Sequence, residues 1–300
     1  MNVRIVIALL VVAAVTAAGC GTSTDGVSKA KPGQTEVVVA FYPLGWLAQQ
    51  LGGDDVHVTN LTPAGSEPHE LELTPQNIRQ LQEADVVLYM GHGFQPAVTA
   101  ALEASDATKI DVLAAPGLHL EAPVATGARQ GDRLDVDPHV WLDPVRFARI
   151  ADYVAGELRM DPAAVDRQLA ALDASFRGGL ADCVRTDIFT SHAAFGYLAD
   201  RYGLTQVALT GLSPEAEPKP RDLERIAKQA RSAGATTIFF ETLVSSKLAE
   251  QVAREAGAKA AVLDPLEGIA RERLDDGVTY LTVQRENLAA LARALGCAAA

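Results

Sequence analysis

From Glu36 onward the chain alternates short β-branched runs with longer amphipathic stretches, and this rhythm limits the fold more than any other feature. EVVVAFY (36–42), VHVTNL (56–61) and DVVLYM (85–90) read as strands, while LGWLAQQLG, TPQNIRQLQEA and FQPAVTAALEAS read as helices. Thr74-Pro75 supplies an N-cap followed by proline at the first helical position. Strands separated by helices cannot be joined as hairpins, so the pattern implies a parallel sheet covered on both faces.

Residues 117–136 carry no period and many Gly, Ala and polar residues, which describes a surface loop. Helices follow at 144–158 and 161–183. The second has Val165, Leu169, Leu172, Phe176 and Leu180 at separations of 4, 3, 4 and 4, the stripe of one stiff rod. The alternation then resumes, with strands at 186–191, 204–210, 236–241 and 258–264 and helices at 193–202, 220–233, 245–256 and 275–296. Three hundred residues exceed the usual size of a single core. The expectation is an α/β fold with an N-terminal α/β lobe at 36–160, a linking helix at 161–183 and a C-terminal α/β lobe at 184–300. The halves show no internal sequence repeat.

The first nineteen residues have a different composition. MNVRIVIALLVVAAVTAAG places one arginine near its start, then an apolar run and small residues, the layout of a removable export signal. The apolar run is too short to span a bilayer comfortably. Cys20 directly after Ala17-Ala18-Gly19 resembles a bacterial lipoprotein cleavage site, in which the thiol takes the lipid. Alanine at 17 departs from the leucine that pattern prefers, and ordinary cleavage near Ala18 is the alternative. Residues 20–35 have the Gly, Ser, Thr and Lys of a flexible tether. Export leaves Cys183 and Cys297, which in an oxidising compartment most simply form a disulfide, the alternative being two unrelated thiols. A formal charge of −12 argues against nucleic acid or an anionic lipid surface as partner and suits a cationic ligand.

The metal-capable side chains fall where strands end. His69 lies in AGSEPHELELTP, beyond the strand at 56–61. His139 lies in DPHVWLDP (137–144), between two Asp-Pro corners. His192 in FTSHAAFGYL and Asp264 in VLDPLEG each close a strand. Ligands of open parallel sheets gather beyond the carboxyl ends of the strands, so four such tips can converge on one cleft between the lobes. Three imidazoles and one carboxylate form a coherent shell for a borderline divalent ion such as Zn(II). Pro138 and Pro144 restrict the backbone around His139, Trp141 can wedge that loop into the core, and Asp137 or Asp143 can orient an imidazole. Each residue alone has a plainer use as a cap or core group, and the intervals match no compact metal motif such as HExxH. Glu67 is a reserve oxygen ligand and His92 a rim residue. Glu241, another strand-tip carboxylate, suits a hydrogen-bonding role, while His57 and His119 read as surface or half-buried residues.

With these residues in view, the chain resembles the metal-binding receptors of bacterial ABC-type uptake systems, the zinc and manganese substrate-binding lipoprotein family. The resemblance covers nearly all of residues 36–297. It rests on GSEPHELELTP (65–75), DPHVWLDP (137–144), TSHAAFGYLADRYGL (190–204), VLDPLEG (262–268) and YLTVQRENLAALARALGC (280–297). It implies two Rossmann-like lobes joined by one long rigid helix, with His69, His139, His192 and Asp264 as ligands in the interlobe cleft. It also implies a non-enzymatic, monomeric, membrane-anchored receptor outside the cytoplasm, which delivers its metal to a permease and its ATPase. Zinc-specific members often carry a His-rich loop before the second histidine, and residues 121–136 contain no histidine. Manganese-type members often have glutamate where His192 stands, and nitrogen-rich ligation favours Zn(II) over Mn(II). The reading from another class is a zinc metallohydrolase, with three histidines around an activated water and Asp264 or Glu67 as base.

Overall fold

The computed structural model describes residues 30–120, 134, 136–216 and 218–298. The export signal, Cys20, residues 21–29 of the tether and most of the loop expected at 117–136 lie outside the described residues.

The N-terminal half builds β1 (Thr35–Val39), α1 (Tyr42–Gly52), β2 (Val56–Asn60), α2 (Pro75–Glu83), β3 (Val86–Tyr89), α3 (Pro96–Leu102) and β4 (Thr108–Asp111). Its sheet is parallel, in the order β2-β1-β3-β4. Two helices, α4 (Pro144–Leu158) and α5 (Ala163–Gly179), lead to the second half. There β5 (Asp187–Thr190), α6 (Gly196–Arg201), β6 (Thr205–Ala208), α7 (Pro220–Ser232), β7 (Thr237–Phe240), α8 (Lys247–Ala256) and β8 (Lys259–Val262) form a second parallel sheet, ordered β6-β5-β7-β8. The chain closes with α9 (Arg271–Asp275) and α10 (Tyr280–Leu295). Val37, Val38 and Val39 of the central β1 are fully buried, as a strand covered on both faces must be.

Two elements depart from the sequence expectation. The strand β4, TKID, has two exposed residues and no apolar run, so periodicity does not reveal it. The helix expected at 275–296 starts only at Tyr280, as α10, and the short α9 precedes it, because Gly277 takes φ +79° and Thr279 then caps α10 by accepting the Thr282 N–H.

The apolar stripe of α5 is buried as its spacing predicts. It belongs to one core cluster that includes Val37 and Trp141 together with Phe195, Leu266 and Leu291, so both halves share a core around α5 and α10. A wide hinge between the halves would have to expose that core to water. A disulfide joins Cys183, just beyond α5, to Cys297, just beyond α10. Among the described residues, no helix is long and apolar enough to cross a membrane.

Candidate metal centre

In each sheet the strand order reverses between two central neighbours, β1 and β3 in the first and β5 and β7 in the second. The crevice beyond such a switch point is the natural ligand position of an open α/β sheet. His192 follows β5 by two residues and Glu241 follows β7 directly, so the fold sets them side by side: His192 Nδ1 lies 2.6 Å from Glu241 Oε1. The hydroxyl of Ser191 donates to the same Glu241 oxygen.

His69 is carried by the loop after β2. Buried Gln95 pins that loop, donating from Nε2 to the Pro68 carbonyl at 3.1 Å and to Thr62 Oγ1 at 3.3 Å. The Glu67 carboxylate accepts the His69 backbone N–H, and Phe94 meets the imidazole edge-on with centroids 4.7 Å apart. His139 is fixed from within its own octet. Asp137 Oδ1 accepts the His139 backbone N–H at 2.9 Å and stands 2.8 Å from ring Nδ1. Asp143 does not orient the ring: it caps α4 through the Val145 N–H and pairs with Arg146 at 2.5 Å.

The carboxylate that joins the three histidines is Glu267. Asp264 instead builds the turn that delivers it. Asp264 Oδ1 accepts the Leu266 N–H at 2.8 Å, Oδ2 accepts the Thr242 hydroxyl at 3.2 Å, and Asn287 brackets the Asp264 backbone through both of its amide atoms. Leu266 takes φ +58°, a left-handed conformation that a branched side chain adopts only when its surroundings impose it. This reverses the chain direction and turns the next side chain, Glu267, toward the imidazoles.

Glu267 Oε1 lies 3.2 Å from His69 Nε2, 3.2 Å from His139 Nε2 and 3.3 Å from His192 Nε2, and the last two nitrogens are 3.2 Å apart. A tetrahedral Zn(II) site with bonds of about 2.0–2.1 Å has donor–donor edges of about 3.3–3.4 Å. These four separations match that edge. All four side chains are at most 4% exposed. The acid partners on Nδ1 favour a proton there, so that in the neutral rings of His139 and His192 the Nε2 lone pairs face one point. Glu267 Oε2, also buried, has no hydrogen-bond partner among the described residues. Converging lone pairs and an unshared carboxylate oxygen are a donor set suited to a cation.

Protonation follows the same geometry. Burial works against charge on His139 and His192, yet the carboxylates outweigh it: Asp137 and Glu267 raise His139, and Glu241 with Glu267 lifts His192 well above the usual imidazole range. Burial lowers His69, for which Glu267 only partly compensates. Glu267 resists its own burial and is held well below the ordinary carboxylate range, chiefly by His192, with hydrogen bonds from all three rings. Asp264 is pushed up to about 6 by burial, and Glu67 to about 7 by burial and by the charge of Glu267.

The remaining candidates stand apart from the cluster. Glu67 Oε1 is 4.0 Å from His69 Nε2 while its carboxylate holds the loop backbone. His92 is exposed at φ +54° and His119 at φ +50°, and His57 pairs with Glu36 at 2.7 Å. Sequence reasoning passed over Glu267 because the strand-end rule points to the first acid after β8. The Pro-Leu-Glu-Gly run after Asp264 was the available sign of a turn.

The chain is similar to known zinc-binding proteins. The zinc-binding lipoprotein AdcA of Streptococcus pneumoniae serotype 4 is 34% identical over 281 residues, covering 88% of this chain and 56% of that protein. The chain thus spans about half the length of this relative. The high-affinity zinc uptake system protein ZnuA of Bacillus subtilis is 33% identical over 293 residues, covering 91% of this chain and 92% of that protein. The crystal structure of the Zn(II)-bound ZnuA-like domain of Streptococcus pneumoniae AdcA matches with a TM-score of 0.71 at 32% identity, covering 88% of this chain and 99% of that one. The family described as zinc-uptake complex component A, periplasmic, matches residues 37–294, and the chain belongs to that ZnuA family.

Proposed function

We propose that this protein is an extracytoplasmic receptor that captures Zn(II) with His69, His139, His192 and Glu267 and passes it to an ABC-type importer. The observation that carries the reading is Glu267 Oε1 at 3.2–3.3 Å from the Nε2 atom of each of the three histidines, with the His139 and His192 Nε2 atoms 3.2 Å apart. Glu267 replaces Asp264 as the carboxylate of the ligand set. Three nitrogens and one oxygen suit zinc better than manganese, which favours carboxylate and water. Four protein donors close a tetrahedral shell and leave no position for an activated water, which argues for a receptor over a hydrolase.

Capture requires unprotonated imidazoles, so zinc displaces the protons that His139 and His192 hold in the metal-free protein. Glu241 and Asp137 keep the two Nε2 lone pairs directed inward, and Glu267 brings the negative charge that the cation needs in a buried site. We read residues 1–19 as an export signal, Cys20 as a lipid-anchoring position and 20–35 as a tether. The lobes at 36–160 and 184–300 then flank the linking helix at 161–183. On this reading the protein works as a monomer beside the membrane, with a permease and its ATPase as partners. Elemental analysis of protein purified without added metal tests the function: about one zinc per chain supports it, and protein that neither retains nor rebinds zinc refutes it.

A further inference from the structure

We infer that Trp141 is a positioning residue that sets the metal preference of the site, by joining the loop that carries His139 to the turn that carries Glu267. The inference rests on the zinc-receptor reading. Trp141 is buried, and its indole N–H donates to the Pro265 carbonyl at 2.8 Å, across 124 residues of sequence. Pro265 stands two residues before Glu267, and His139 stands two residues before Trp141, so one hydrogen bond spans both ligand-bearing segments. Trp141 is itself clamped, because the Tyr280 hydroxyl donates to its carbonyl at 2.6 Å and Gln284 donates to that hydroxyl at 3.1 Å. Its ring also packs at 5.1 Å from the His139 ring and 5.9 Å from Phe94, which in turn meets His69 at 4.7 Å. Three of the four proposed ligands therefore take their spacing from contacts with Trp141, directly or through one neighbour.

A cage of fixed small dimensions discriminates between metals. Zn(II) gains from four donors held at tetrahedral separation, whereas Mn(II) prefers a larger, oxygen-rich, six-coordinate shell. Removing the indole N–H leaves the Pro265 carbonyl without its partner and frees the Asp264–Glu267 turn to move relative to His139. Zinc then loses the pre-organisation it depends on, while Mn(II), which makes little use of it, loses less.

The test is competition titration of Zn(II) and Mn(II) into wild-type and Trp141→Phe protein, with the Co(II) absorption spectrum as a measure of coordination geometry. The expected result is a fall in zinc affinity of about tenfold, within the range typical of groups that orient metal ligands. Mn(II) affinity holds, and the intense tetrahedral Co(II) band weakens. Equal losses for both metals, or an unchanged preference and spectrum, overturn the proposal. Should the Phe variant not fold, Tyr280→Phe removes the clamp on the Trp141 carbonyl and is expected to shift preference in the same direction by a smaller factor. No shift there overturns the proposal equally. Wild-type protein in the same titration separates the two claims, because its failure to bind zinc refutes the receptor reading itself.

Discussion

Asp264 and Glu267 lie three residues apart, and the first folds the turn that turns the second toward the three imidazoles, through its bond to the Leu266 N–H at 2.8 Å. The two carboxylates should therefore respond differently to loss of charge. Glu267→Gln removes the anionic oxygen shared by three rings and should lower zinc affinity by more than about 100-fold, beyond the usual effect of an orienting group. Asp264→Asn keeps the shape of the turn and should cost about tenfold or less. Calorimetry on the two variants decides the order, and a larger loss for Asp264→Asn would reverse the assignment.

Glu241 orients His192 from 2.6 Å, as Asp137 orients His139 from 2.8 Å. Replacing either acid by its amide removes the charge that favours the Nδ1–H tautomer. Zinc affinity should fall by about 10–100-fold in each variant, with one metal still bound per chain. Asp143→Asn is the control, since Asp143 caps α4 and holds no imidazole: it should lower thermal stability and leave affinity near the wild-type value.

The raised imidazoles give the pH dependence a definite sign. In the metal-free protein, raised His139 and His192 contribute stability that is fully present below pH 6.5 and is lost as pH rises through their folded values. Glu267, held low, contributes stability above the ordinary glutamate value of 4.5 that is lost as pH falls through its own depressed value. Zinc competes with the imidazole protons, so its effect runs the other way. At zinc about 100-fold above Kd the stabilisation is about 2.7 kcal/mol near neutral pH or above, and it should vanish toward pH ~5. Calorimetric scans with and without zinc across this range measure both slopes.

The Cys183–Cys297 bond closes a loop of 114 residues of sequence separation. Chain entropy alone assigns such a loop about 4–5 kcal/mol. Reduction, or the double Ser variant, should lower the unfolding midpoint by several degrees while leaving one zinc per chain, because neither cysteine belongs to the cluster. Loss of zinc together with the disulfide would show that the two are coupled through α10, whose Asn287 holds the Asp264 backbone.

The parallel sheets and the three histidines were legible in the sequence because each depends on a local rule. β-branched runs between amphipathic helices give the sheets, His192 lies just past β5, and His69 and His139 each follow a proline in loops that fix them locally. β4 escaped because a short, half-exposed edge strand has no apolar signature. Glu267 escaped because its position depends on a left-handed Leu266 that the tertiary environment imposes, not on the distance from the strand end. The choice between Asp137 and Asp143 as the orienting acid was open for the same reason. Each opens an Asp-Pro pair of the octet, and only the start of α4 assigns Asp143 to the helix cap.

X-ray absorption at the zinc edge of the zinc-loaded protein, compared with His139→Ala, tests the central claim most directly. The account predicts one zinc with four nitrogen and oxygen neighbours at about 2.0–2.1 Å in the wild type and a changed, weakened shell in the variant. A wild-type shell of sulfur or of six oxygens, or an identical spectrum and affinity after loss of His139, would contradict it.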